Sequence, residues 1–447
     1  MKRIIISKIM PRHLWRGFLQ GLLLAGIVLV NLRLVFAEAL VWEDVLAEAQ
    51  RKNPGIISAR ESLKSAGLSY KSSFTNFLPQ ISASAGWNKS SSITSFESFA
   101  EGGREDEEFN YGISGRLSIF SGFKNSSSLK QQRAELKGEE ASFERTVSDT
   151  ICDLKVAFAQ VLKAQKTISL SDEILQRRRE NTEIVKLRYE AGREDKGAYL
   201  RSEADLYQAE YEFSKAKRNL KTQQVKLLKE MGRDEFEPRP SERGVGEVIA
   251  VSGTLKVEPP QGVLSFPEML VKTPDYLVAM YGVDSSKYNL RYAQGNLYPQ
   301  IYFSGGTSRS GPEWPLERAR WNVGLSLSYP LFSGGKTIYD LKIARTGKAK
   351  SEENLRQVKQ EILLGLEQAY NGLIDGIGNV KVKEKYFIAS QERAKISQVK
   401  YINGLISYQD WDAIENEFIN SGKSLLEAEY NAFVASAEWK RVLGEEE

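Results

Sequence analysis

The chain has 447 residues, 27% of them charged and 41% hydrophobic, with 62 basic and 58 acidic side chains. One histidine, His13, and one cysteine, Cys152, exclude an intrachain disulfide and a thiolate metal cluster. Because His13 falls in the leader described next, they also exclude imidazole chemistry in the mature protein.

Residues 1–37 read as a secretory signal peptide. Lys2, Arg3, Lys8, Arg12 and Arg16 form its basic region, residues 18–30 are apolar, and small residues allow cleavage after Ala37 or Ala39. Without it 56 basic and 58 acidic side chains remain, so charge offers no argument for nucleic-acid binding. No cysteine follows the leader to carry a lipid. No later apolar stretch reaches the ~20 residues of a transmembrane helix, so a membrane crossing has to use strands.

The first repeat is expected over residues 38–235. Val45, Leu46, Ala49, Ile56, Ala59, Leu63 and Leu68 have helical spacing, which predicts a short helix within 41–76. Pro79 ends it. Strict alternation then predicts strands near 80–89 (Ile81, Ala83, Ala85, Trp87) and 109–120 (Tyr111, Ile113, Leu117, Ile119) around a polar loop. Leu129, Leu136, Phe143, Val147, Ile151, Leu154, Phe158 and Leu162 recur at coiled-coil spacings and predict a long helix near 124–190. Such a helix would span about 100 Å. Gly192 marks a turn, and a return helix is expected near 195–232. Cys152 lies on the apolar stripe as a small packed residue.

A proline-rich linker follows at 236–265, and residues 266–447 repeat the plan. Strands are expected near 300–307 and 321–332, a long helix near 336–402 and a return helix near 407–443. Gly365, Gly372, Gly376 and Gly378 are places where the second long helix would kink or break. With a shift of 220, Leu78-Pro79-Gln80-Ile81 falls on Tyr298-Pro299-Gln300-Ile301. With a shift of 212, Phe120-Ser121-Gly122 falls on Phe332-Ser333-Gly334, and Arg188-Tyr189-x-x-Gly192 on Lys400-Tyr401-x-x-Gly404. One eight-residue length difference between Ser90 and Phe120 reconciles the whole register, the mark of a duplication.

The strands' polar faces of Ser, Gly and Asn suit an aqueous lumen. Trp87, Tyr111, Trp321 and Tyr329 are expected near strand ends as an aromatic girdle against outer-membrane lipids. Four strands cannot close a barrel, and bacterial barrels have at least ~8, so the count requires oligomers. Two chains give a narrow, filled barrel; three give twelve strands and room for a lumen.

The order and doubling of these motifs resemble the TolC-like outer-membrane efflux proteins, across essentially the whole mature chain. The resemblance implies an α+β membrane protein: a homotrimer with a twelve-stranded β-barrel continued by a long α-helical coiled-coil periplasmic tunnel. It implies the exit channel of a tripartite efflux or type I secretion system, with a periplasmic adaptor and an inner-membrane transporter of RND, ABC or MFS type. It implies neither catalysis nor a cofactor. Carried over by position, the adaptor-docking tips are Arg188, Tyr189, Gly192, Lys400, Gly404 and Leu405. The periplasmic gate and its acidic ring are Tyr401, Asp410 and Asp412. The chain departs from well-known members at Ile406 and Ala198, where an arginine and an aspartate hold the gate, so the closing bonds must differ. The competing expectations are a periplasmic or surface coiled-coil scaffold or adhesin, which leaves four amphipathic strands without a role, and a carboxylate enzyme. The latter predicts acidic pairs at strand ends facing a pocket, and the polar faces of the expected strands 80–89, 109–120, 300–307 and 321–332 carry none.

Overall fold

The computed structural model describes residues 39–92, 104–233, 249–260 and 265–444. The expected signal peptide, residues 93–103 of the first strand loop and much of the linker lie outside the described residues. The first repeat contains α1 (Trp42–Lys52), α2 (Pro54–Ser73), β1 (Gln80–Ser92), β2 (Arg104–Phe120), α3 (Lys124–Glu190) and α4 (Lys196–Glu230). The second contains α5 (Phe266–Leu270), α6 (Pro274–Gln294), β3 (Gln300–Gly311), β4 (Arg318–Ser328), α7 (Lys336–Ile402) and α8 (Tyr408–Leu443).

The single early helix expected over 41–76 is broken in two at Asn53. Its Oδ1 accepts from the Gly55 and Ile56 amides at 2.8 and 3.2 Å, which caps α2 behind Pro54. Its Nδ2 donates to the Glu230 carbonyl at 2.7 Å and so ties the cap to the end of α4. Both long helices are continuous and 67 residues long. The four glycines do not interrupt α7: each weakens a helix by about 1 kcal/mol but removes no backbone hydrogen bond. Gly376 has a packing reason, because a Cβ there would lie 3.1 Å from the Ala432 Cα on α8.

The long helices lie side by side in the order α4–α3–α8–α7, with α2 and α6 packed on α3, and α6 also on α7. Their core is duplicated with the sequence. Leu154, Val161 and Leu227 are buried in one cluster, and their 212-shifted equivalents Leu366, Leu373 and Trp439 in another. The described part of the linker packs on the first cluster through Val251 and Leu255. It forms a parallel bridge to the segment just before α1, where Leu40 N–H donates to the Ala250 carbonyl.

The four strands form one antiparallel sheet in the order β1-β2-β3-β4. The register places Ile81, Gly115, Gly305 and Val323 in one row and Ala83, Ile113, Thr307 and Trp321 in the next. Directly opposed residues share a face, so every strand contributes its apolar side to the same surface. Trp321, Leu325 and Leu327 are 80, 68 and 66% exposed there. The other face is Ser, Gly and Asn, with Ser82 and Ser114 hydroxyls hydrogen-bonded at 3.0 Å.

The strands differ in length from expectation. β1 and β2 run 13 and 17 residues, and β3 reaches Gly311, so much of the polar segments expected as loops is paired. β4 stops at Ser328 because Pro330 cannot continue a ladder. Trp87 consequently pairs with Phe109 inside the sheet rather than at its end. Tyr111 stacks on Trp314 at 5.7 Å, Trp321 lies inside β4, and Tyr329 sits just past its end.

Candidate functional site

The two turns at the far end of the helices from the sheet are built alike. Gly192 and Gly404 take φ of +68 and +75°, a left-handed conformation that costs a glycine nothing. Their N–H groups donate to the Tyr189 and Tyr401 carbonyls, both at 2.9 Å. The following N–H groups reach the Arg188 and Lys400 carbonyls at 2.8 Å, which closes a Schellman cap in each copy. The return helices start on matching caps. Asp195 accepts from Ala198 N–H at 2.9 Å, and the Ser407 hydroxyl accepts from Asp410 N–H at 3.2 Å.

The turns touch each other. Tyr401 is fully buried with Val185, Ala198 and Trp411, and its ring stacks on Trp411 at 4.2 Å. Its hydroxyl donates to Glu194 Oε2 at 2.7 Å. Arg188 Nη1 donates to the Tyr401 and Ile402 carbonyls at 2.9 and 3.3 Å, and its guanidinium covers the Tyr401 ring at 4.7 Å. Burial, then the Glu194 carboxylate, push the Tyr401 phenol well above its ordinary range. It therefore remains a hydrogen-bond donor at any physiological pH.

Two ionic layers follow along the helices. Arg177 clasps Glu415 with Nε and Nη2 at 2.6 and 2.8 Å, and Asn181 adds a third contact at 3.3 Å. Glu415 is 1% exposed. The hydrogen bond to Glu415 raises the Arg177 guanidinium above its usual value. Arg178 bonds Asp412 at 3.1 Å and Asn416 at 2.6 Å. Each contact joins α3 of the first repeat to α8 of the second.

The expected site residues therefore separate. Tyr401 and Arg188 meet, and Arg188 turns inward on the second-repeat turn. Asp412 is bound by Arg178 at 3.1 Å. Asp410 stays exposed, with only the Ser407 hydroxyl donating to its carboxylate at 2.7 Å. Lys400 and Leu405 are exposed, Leu405 at 72%, and Tyr189 stacks on Tyr199 at 5.6 Å. Glu194, Arg177, Arg178, Asn181, Trp411 and Glu415 were not expected. One signal for them exists: Glu415 occupies an apolar-stripe position between Trp411, Phe418 and Gly422.

Among the described residues no helix is long and apolar enough to cross a membrane, and no group of His, Cys, Asp and Glu is placed to hold a metal. The family model described as "Outer membrane efflux protein" matches residues 45–233 and 266–445. "Outer membrane protein TolC" of Vibrio cholerae is 20% identical over 90% of this chain and 91% of its own. "Outer membrane efflux protein BepC" of Brucella suis is 19% identical over 93% and 87%. The solved Campylobacter jejuni CmeC outer membrane channel superposes with a TM-score of 0.79 at 15% identity, covering 90% of this chain and 85% of its own. With both repeats matched by the family model, this chain belongs to the outer membrane efflux protein family.

Proposed function

We propose that the protein is a homotrimeric exit channel, carrying substrates passively from an inner-membrane transporter and a periplasmic adaptor across the outer membrane. The observation that carries this is the pair of open edges. Among the described residues the sheet ends in β1 and β4, each with one edge open, and the helix layer ends in α4 and α7. α4 exposes Tyr207 and Tyr211, and α7 exposes Val382, Tyr386 and Ile396. A bilayer tolerates no open strand edge. A second and a third copy close both layers at once, giving twelve strands above a tube of twelve long helices. The apolar sheet face then meets lipid, and the Ser, Gly and Asn face lines the lumen.

In this reading the helical tip is the periplasmic gate. Tyr401, Glu194 and Arg188 latch the second-repeat hairpin to the first, and Asp410 presents its charge three times at the mouth. Exposed Lys400 and Leu405, with Tyr189, form the rim available to an adaptor. The RND, ABC or MFS class of the transporter belongs to the partners and not to this chain.

The test is mass measurement in detergent followed by single-channel recording in planar bilayers. A trimer with small conductance that grows when the latch is broken is expected. A monomer, or a trimer silent in every latch variant, would falsify the channel.

A further inference from the structure

The polar face of the sheet is not uniformly neutral. In the rows from Gln80 to Gly86 three cations interrupt its Ser, Gly and Asn: Arg116 on β2, and Arg318 and Arg320 on β4. The register fixes their face. Arg116 is paired with Gln80 and Ser304, Arg320 with Ser308, and Arg318 with Ser310. In the rows from Gln80 to Gly86 this face carries Gln80, Ser82, Ser84, Gly86 and their partners, and no carboxylate. Acidic residues enter only nearer the loop, at Glu108 and Asp106. All three arginines are exposed, and among the described residues none has a carboxylate partner. Arg116 lies over the Tyr302 ring at 4.9 Å, an arrangement that holds the guanidinium in place and leaves its charge intact.

We infer that the barrel is an anion-attracting belt, and that the exported molecules it favours carry sulfonate, phosphate or carboxylate groups. This rests on the trimeric channel reading, which turns three arginines into nine around one lumen. Twelve strands about 4.8 Å apart and tilted by about 40° give a barrel roughly 24 Å across between backbones. Arginine side chains reaching about 6 Å inward leave the axis roughly 6 Å from the guanidinium heads. That is inside the ~8 Å screening length of physiological salt, so no path through the barrel avoids their field. Rings of arginine select anions in pores, and the planar guanidinium fork matches oxyanions in two hydrogen bonds. An anion delivered by a partner past the mouth meets an attractive exit.

The experiment uses the purified full-length trimer in detergent and a pyrene trisulfonate dye as the anionic probe, with binding measured by equilibrium dialysis. The same preparations are recorded in planar bilayers. The dye enters the barrel from its outer end, so the gate need not open. Changing Arg116→Ser, Arg318→Ser and Arg320→Ser together is expected to weaken dye binding about tenfold or more, and added salt should weaken wild-type binding steeply. The triple change to lysine keeps the charge and is expected to retain binding within about threefold. These substitutions lie on a face already rich in serine, so heat-resistant trimers should persist in both variants. Unchanged dye affinity in a conducting serine variant overturns the belt alone. Lysine binding no better than serine binding overturns it as well. A protein that is not a trimer, or never conducts, removes the channel reading and the belt with it.

Discussion

Tyr401→Phe isolates one bond of the proposed latch. The ring keeps its stack on Trp411 and its burial, and only the hydroxyl donated to Glu194 at 2.7 Å is lost. Glu194 then keeps Arg188, whose Nε is 3.7 Å away. A hydrogen bond to a charged acceptor contributes about 1.5–3 kcal/mol, and about 1.4 kcal/mol is a tenfold change in an equilibrium. Each tip should therefore open roughly 10- to 150-fold more often, and a trimer has three. Two measurements check this: channel conductance, and deuterium uptake over the turn at 401–411. Both should rise in Tyr401→Phe, and Glu194→Gln should add less to Tyr401→Phe than it does alone, because the two residues share the bond. Tyr401→Phe identical to wild type in both assays, with Tyr401→Ala altering both, would show that ring packing holds the tip and the hydroxyl does not.

Other outcomes follow from the same geometry. Arg177→Ala leaves Glu415 buried without its bidentate partner and should cost about 3–5 kcal/mol in thermal unfolding, whereas Arg177→Met with Glu415→Leu should recover most of that. Gly404→Ala puts a Cβ on a left-handed residue and should cost about 1–2 kcal/mol while loosening the cap, read as faster exchange of the Leu405 amide. Burial pushes the Cys152 thiol up to about 12, so it should resist maleimide at pH 8 in the folded trimer and react on denaturation. The Arg233 and Arg441 hydrogen bonds hold the Glu48 and Glu438 carboxyls below the ordinary value of 4.5. Their stabilisation is complete above that pH and is lost as pH falls through the native values, so melting temperature should drop below pH 4.5 and drop less in Arg233→Gln and Arg441→Gln.

The architecture was legible because it rests on periodicity. Alternation from Ile81 to Trp87 and from Trp321 to Leu327 located the sheet and its two faces, coiled-coil spacing marked the first 67-residue helix, and the repeat register carried its bounds to the second. Strand ends were less legible. Ser90 to Ser92 and Glu105 to Glu108 lack an apolar face, yet they pair because the neighbouring ladder extends through them. The break at Asn53 was missed because its cap depends partly on the Glu230 carbonyl, 177 residues away. The latch was illegible for a related reason. Nothing local marks Glu194 as the partner of Tyr401, since their contact exists only once α3 and α8 are packed together.

The correspondence between the copies explains why only one of two equivalent tyrosines is bonded across them. A shift of 212 pairs Tyr189 with Tyr401, Tyr199 with Trp411, and Glu203 with Glu415. Both copies keep the aromatic stack, at 5.6 and 4.2 Å. In the first copy the Tyr199 hydroxyl donates to Glu203 at 2.9 Å, so that carboxylate is bonded within its own helix. Trp411 has no hydroxyl to offer Glu415, which is instead taken by Arg177 from the other repeat. The equivalents of Arg177 and Arg178 on α7 are Ala389 and Ser390, so the second repeat cannot return the contact. Likewise Glu194 has Ile406 as its equivalent, and no carboxylate stands ready for Tyr189. At the tip, Arg177, Arg178 and Glu194 of the first repeat hold the second, and their equivalents do not return the contact. That leaves Tyr189 stacked at the surface, Tyr401 sealed inside, and Asp410, whose equivalent is Ala198, exposed at the tip.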